Sequence, residues 1–123
     1  MYRRILKSKL TPQNKYIDSD NDFIFMGKIV EQVSGLPLEK YVAQNFYEPM
    51  GLTSTGFLPR EKFDTNLVAP TENEKIFRMQ HLHADVHDPG AAMFGGVAVQ
   101  AGLFSDAHSI AAIMQMRLNG GTF

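Results

Sequence analysis

Apolar and polar positions repeat at helical spacing in three stretches. In Phe23–Val33 the polar residues Lys28, Glu31 and Gln32 share one face, while Phe23, Phe25, Met26, Ile29, Val30 and Val33 cover most of the rest. A helix apolar over so much of its circumference is expected to be largely buried. Asp20 to Asp22 offer N-caps at its start, and Gly35 suits the left-handed residue that ends it. Pro37 opens a second helix, Leu38 to Tyr47, where a proline costs no hydrogen bond; Leu38, Tyr41, Val42 and Phe46 form its apolar stripe, and Pro49 with Gly51 closes it. The third helix is capped by Ser105 or Asp106, carries Ala107, Ile110, Ala111, Ile113, Met114 and Leu118 as apolar members, and stops at Gly120-Gly121.

Between these, Leu52 to Pro70 reads as loop and Glu72 to Gln80 as a short helix. Val86 to Gly102 is rich in glycine and alanine; Gly90, Gly95, Gly96 and Gly102 suggest close backbone packing or irregular turns. No repeat and no convincing run of alternating strands interrupts this pattern. The expected fold is mainly α.

Composition narrows the picture. The chain's 123 residues, 44% hydrophobic and 11% aromatic, suit one domain with enough apolar material for a core. A net charge of -1 implies no general attraction to nucleic acid or acidic membranes. The one basic cluster, Arg3, Arg4, Lys7, Lys9 and Lys15, reads as the solvated side of a short helix. The absence of cysteine excludes disulfides, thiolate zinc sites and a cysteine nucleophile. No run approaches the ~18 apolar residues of a membrane span, and no signal-peptide core is seen at the N-terminus. Met26, Met93, Met114 and Met116 are spaced as core filler.

Candidate chemistry concentrates in Tyr16-Ile17-Asp18-Ser19-Asp20-Asn21-Asp22. One reading is a polar loop that caps the helix after it. A calcium loop of the Asp-x-Asp-x-Asp type would need glycine and glutamate where Phe23 and Ile29 stand, so that reading fails. His83 and His87, four apart with Asp85 and Asp88 beside them, invite a metal reading, but Pro89 and Gly90 interrupt a helix there and no third ligand is evident. His87 and Asp88 are expected to hydrogen-bond backbone in a turn ahead of Pro89, and His81 and His108 to lie on the surface or at caps. No metal and no cofactor are expected.

The residues after the loop support another reading. Ser19-Asp20, Phe23 to Gly27, Ile29 to Leu38 with its Val33-Ser34-Gly35-Leu36-Pro37-Leu38, and Phe46-Tyr47-Glu48-Pro49-Met50-Gly51-Leu52-Thr53 occur in that order. Pro70-Thr71-Glu72, Asp85 to Met93 and Ala101-Gly102-Leu103-Phe104-Ser105 come next. The series resembles the β-lactamase-related serine hydrolases, the group of class C β-lactamases, serine D,D-peptidases and many esterases, and especially bacterial members sometimes fused behind a glycoside hydrolase. The resemblance implies an antiparallel sheet sandwiched by helices plus a helical subdomain, and an active site of three motifs. A Ser-x-x-Lys supplies the nucleophile, a Tyr-x-Asn-like loop moves the proton, and a Lys/His-x-Gly strand completes the wall beside an oxyanion hole.

Only the middle motif can be placed. Ser19-Asp20-Asn21 spells Ser-Asp-Asn literally. Measured back from the Phe23 helix, the family's Tyr-Ser-Asp register instead puts Asp18 where a tyrosine belongs, and this register is preferred because packing fixes the distance to the helix. Asp18, Ser19 and Asp20 are thus the catalytic-loop candidates in degenerate form, with Asn21, His87 and Asp88 as rim or supporting residues. A carboxylate at position 18 lacks the phenolic hydroxyl. No serine here (Ser8, Ser19, Ser34, Ser54, Ser105, Ser109) has lysine three residues on. Close family members place Gly-His where Val99-Gln100 stands, so a strained turn at Val99 and a lost donor at Gln100 are expected.

The resemblance therefore implies a central portion, 1–123, of such a domain: part of its helical subdomain with most of the sheet missing, and inactive alone. Its partner is then the remainder of the domain, or another copy joined through apolar faces. The alternative is a non-catalytic helical interaction module. The family generally works in the bacterial periplasm or outside the cell; the residues themselves fix no location.

Overall fold

The computed structural model describes residues 1–9 and 16–123. Its order is α1 (Tyr2–Ile5), α2 (Asp20–Ser34), α3 (Leu38–Val42), a π-helical turn (Ala43–Tyr47), two 3₁₀ turns (Pro59–Glu61 and Thr65–Leu67), β1 (Pro70–Glu74), β2 (Gln80–His83), α4 (Pro89–Met93) and α5 (Ala107–Leu118).

The caps expected at Gly35 and Asp106 form, while the N-cap of α2 does not fall on the aspartates. Ser19, extended at φ -147°, takes the first helix cap: its Oγ accepts from Asn21 N at 3.3 Å, one residue earlier than the aspartates proposed for that role. Asp20 and Asp22 occupy the first turn, where carboxylates face the positive end of the helix dipole. Gly35 closes α2 with φ 70°, its N–H donating to Glu31 O at 2.9 Å. Glu31 Oε1 then accepts from Leu38 N at 3.3 Å, stitching the end of α2 to the start of α3. Asp106, not Ser105, caps α5 through Ser109 N at 2.7 Å. Arg3 and Arg4 of α1 and the nearby Lys7 and Lys9 are exposed, as their spacing predicts; Lys15 lies outside the described residues.

The segment Glu72 to Gln80 is not a helix. It is an antiparallel hairpin pairing Glu72 with Leu82, Asn73 with His81 and Glu74 with Gln80, with an irregularity between Pro70 and Glu72. Its strands carry no apolar alternation to betray them, because only Glu74 and Leu82 point inward. A side chain holds the turn. The buried Glu74 carboxylate accepts from the backbone N–H groups of Ile76 (2.5 Å), Phe77 (2.7 Å), Met79 (3.2 Å) and Arg78. These donors, Phe77 and Arg78 foremost, pull its pKa down from 4.5 to about 2.

Burial is thin. Val86, Ala91 and Ala98 form the central cluster, with Ala92 and Ala101 against it. Leu82 and Pro59 are the largest side chains that are fully enclosed. The expectation that α2 is largely buried is overturned: only Ile24 and Gly27 are buried, and Phe23, Met26, Ile29 and Val33 are exposed. On one face of α2 Gly27 lets Val99 approach so closely that an added Cβ would sit 2.9 Å from Val99 Cγ2, and on another Phe25 meets Tyr2 edge-on with ring centroids 5.7 Å apart. The methionines are not core filler either. Met26, Met93 and Met114 are more than half exposed, and Met116 is half-buried.

Candidate functional site

Asp18 to Asn21 lie at the N-terminus of α2. Ser19 is half-buried and spent on its cap, while Asp18, Asp20 and Asn21 are exposed and Tyr16 is 93% exposed. This loop is therefore built for helix initiation. No side chain of Asp18, Ser19 or Asp20 lines the principal cleft, whose α2 contribution comes from Met26 and Val30 further along the helix.

That cleft has a volume of about 1110 Å³. One wall is α2 and the α3–π segment, with Tyr41, Val42, Phe46 and Tyr47. Opposite stand Phe57, Phe63, Leu67 and the stretch from Ala98 to Asp106. Burial raises the pKa of the Tyr47 phenol, keeping it a neutral donor. Besides the Tyr41 and Tyr47 phenols, the polar residues lining the cleft are Ser54, Thr71, His87, Gln100, Ser105 and Asp106. The Asp106 carboxyl is held below its ordinary value, chiefly by the Ser109 N–H and also by the Ser54 hydroxyl.

The glycine-bearing run Ala101–Ser105 is fixed by its own contacts. Gly56 and Phe104 exchange backbone hydrogen bonds of 2.9 Å each way, and Thr55 Oγ1 meets Ser105 Oγ at 2.7 Å. Gly102, at φ 109°, passes so near Gly96 that a Cβ would lie 2.4 Å from its carbonyl oxygen. Only glycine fits there.

The other candidates divide. Asp88 caps α4 through Ala91 N at 2.6 Å, and its own carbonyl accepts from Ala92 N at 3.0 Å, so its bonds open the helix at Pro89 and do not make the turn expected ahead of it. His87 is exposed at the cleft margin, and its carbonyl, not its ring, carries the structural hydrogen bond. The donor is Arg78, which holds Val86 O at 2.7 Å and His87 O at 2.6 Å. Sequence reasoning passed over Arg78, since nothing in a polar hairpin flags one arginine as a clamp. His83 is not paired with His87: its Nε2 lies 2.5 Å from Val68 O. His81 and His108 are on the surface.

At position 99 the expected strain is absent. Val99 does not have a positive φ, and its side chain fills the notch over Gly27. The expected loss at position 100 is visible in another form, for both amide atoms of Gln100 are buried with no hydrogen-bond partner. Among the described residues no serine hydroxyl is hydrogen-bonded to a lysine or a histidine. The hydroxyl contacts are instead a Thr55–Ser105 pair and bonds to backbone. The cleft can hold apolar matter and a few hydrogen bonds, with the Asp106 carboxylate in its lining, and among the described residues no hydroxyl in it is paired with a lysine or a histidine.

The Beta-lactamase family model matches residues 1–123. A protein of Escherichia coli (strain K12) is 41% identical over 124 aligned residues, covering 91% of this chain and 29% of the relative. Relatives from Salmonella agona (strain SL483) and Salmonella gallinarum (strain 287/91 / NCTC 13346) are 40% and 39% identical with the same coverage. All three bear the name "Putative D-alanyl-D-alanine carboxypeptidase". No solved structure matches the chain. The chain thus spans 29% of the length of these relatives. The ordered motifs from Ser19 to Ser105 fall within a match that takes in every residue, and the chain belongs to the β-lactamase family.

Proposed function

We propose that these residues are the helical, middle-motif portion of a serine hydrolase domain whose complete form transfers acyl groups from amide or ester substrates, and that the chain alone performs no turnover. The family match carries the reaction class. The absence of a Ser-x-x-Lys in the sequence, and of any serine paired with a base among the described residues, carries the lack of activity. In the complete site, Asp18, Ser19 and Asp20 present the degenerate middle motif, with Asn21, His87 and Asp88 at the rim. The carboxypeptidase name of the relatives makes a peptide ending in D-alanine the first substrate to try.

The test is direct. The purified chain is incubated with nitrocefin, p-nitrophenyl acetate and a fluorophosphonate probe, and examined by absorbance and intact mass. No hydrolysis above buffer and no mass increment are expected; a covalent adduct on any serine refutes the reading.

A second reading, a non-catalytic helical interaction module, draws on the exposed Ile29, Val33 and Leu118, since apolar side chains in such positions drive association. A cooperative calorimetric transition from a sedimenting monomer favours the module. A molten or aggregating chain favours the incomplete domain.

A further inference from the structure

We infer that Arg78 is a positioning residue for the cleft: it holds the segment Asp85–Asp88 in one conformation, so that the imidazole of His87 stands at the cleft margin as a ligand-contacting group for a peptide amide. The class of ligand rests on the acyl-transfer reading of the complete domain; the placement of His87 does not.

The segment is tethered at every residue. Thr71 Oγ1 donates to Asp85 O at 2.8 Å, and Arg60 meets the Asp85 carboxylate at 2.7 and 3.3 Å. Arg78 reaches across eight and nine residues to bond Val86 O and His87 O. The Val86 side chain is buried in the central cluster, and the Asp88 carboxylate is spent on Ala91 N. Among the described residues, His87 alone of these four has a side chain that is neither buried nor hydrogen-bonded, and it lines the cleft.

Arg78 is itself fixed. Its side chain is 17% exposed and lies against the Glu74 carboxylate, which is 4.0 Å from Arg78 Nε and accepts from Arg78 N. A guanidinium keeps its charge when enclosed and presents its donors in a rigid plane, so it can act as a strut between the hairpin turn and two successive carbonyls.

Strain marks the same place. Leu58, Met79 and Ala84 are non-glycine residues at φ 52°, 51° and 57°, a region that side chains with a Cβ occupy at a cost. Leu58 stands two residues before Arg60, Met79 follows Arg78, and Ala84 precedes Asp85. Such conformations persist only where surrounding contacts over-determine them, and they gather at ligand clamps and active sites. Stability alone gives no reason for three strained residues to converge on the tethers of one four-residue segment. A side chain held ready for a ligand does.

The ring suits an uncharged polar group. An imidazole donates through one nitrogen and accepts through the other, and a peptide amide offers both complements. The cleft beside it is walled by Val42, Phe46 and Phe57, which suits the apolar groups flanking such an amide.

The experiment follows the His87 ring resonances of the 123-residue chain by NMR while N-acetyl-D-alanyl-D-alanine is added to millimolar concentration. A saturable shift of the His87 ring is expected. Arg78→Met is expected to weaken that binding at least tenfold while the amides of residues 76–79, tied to Glu74, keep their protection from hydrogen exchange. Arg78→Lys, which retains a charge and one bond, is expected to recover part of the loss. Thr71→Val keeps the volume and removes only the hydroxyl bonds to Leu82 O and Asp85 O; it is expected to act in the same direction, and it carries the test if Arg78→Met does not fold. Gln115→Ala, on the exposed face of α5, is expected to change nothing. An unmoved His87 ring, full binding by a folded Arg78→Met, or a loss of binding that comes only with loss of protection at residues 76–79 would each overturn the inference. The acyl-transfer reading fails on a different result, covalent labelling of the isolated chain, so the two can be told apart.

Discussion

Gly102 and Gln100 stand two residues apart and respond to substitution in opposite directions. Gly102 combines a φ of 109° with a carbonyl oxygen 2.4 Å from where a methyl group would be placed, and that oxygen belongs to backbone. Gly102→Ala is expected to cost roughly 2–5 kcal/mol, from strain and overpacking together, measured by urea denaturation. Gln100 buries an amide that has no hydrogen-bond partner among the described residues. Gln100→Met keeps the unbranched shape and removes the desolvated polar atoms, and is expected to stabilise the chain by about 1–3 kcal/mol in the same assay. The sequence flagged both positions: the glycine by its place in a glycine-rich run, the glutamine by its departure from the family pattern. It did not show that Gly96 is the neighbour that forbids a side chain, because that contact joins two loops through space. Nor did it show that valine at 99 is comfortable, since only the notch at Gly27 makes room for it.

Among the elements, α2, α3 and α5 are where their caps and apolar spacing put them, since Ser19, Gly35 and Asp106 act on their immediate neighbours and need no tertiary partner. The hairpin was illegible for the opposite reason. Pro70-Thr71-Glu72-Asn73-Glu74 has no strand pattern, and one carboxylate binding four consecutive N–H groups leaves no periodic trace. The candidate loop at Asp18 to Asn21 was legible as a helix start, but its distance from the cleft was not, because the cleft lies further along α2. The Glu74 turn titrates. A carboxyl whose pKa is lowered on folding, here from 4.5 to about 2, contributes stability that is complete above pH 4.5 and is lost as pH falls toward 2. Glu74→Gln removes that dependence: the wild-type chain is expected to lose several degrees of Tm relative to the variant's own change between pH 5 and pH 2.5, and to lie well above the variant at pH 7. Parallel calorimetric scans measure both.

At the scale of the molecule, the burial deficit of α2 is the main departure from what its composition implies. An apolar helix is buried only to the extent that its surroundings cover it, and here only Ile24 and Gly27 are buried. Ile29 and Leu118, 60% and 82% exposed, can be exchanged without entering the packed region. Ile29→Glu with Leu118→Lys, the latter also placing a cation in the last turn of α5, is expected to change stability by less than about 0.5 kcal/mol per site. The double variant is expected to raise the concentration at which the chain stays dispersed, read by light scattering alongside thermal melts. A loss of several degrees in Tm would show that these faces are packed in solution.

The turn gathered on Glu74 has a consequence for how the chain is digested. Ile76, Phe77 and Met79 project into solvent, the kind of side chains that aspartic proteases seek, yet a backbone whose N–H groups are tied to one carboxylate cannot extend into a protease groove. At neutral pH the tip is an attractive but closed substrate. In the acid range where pepsin works, protonation of Glu74 is expected to loosen it, so cleavage at the tip is expected to rise as pH falls toward 2.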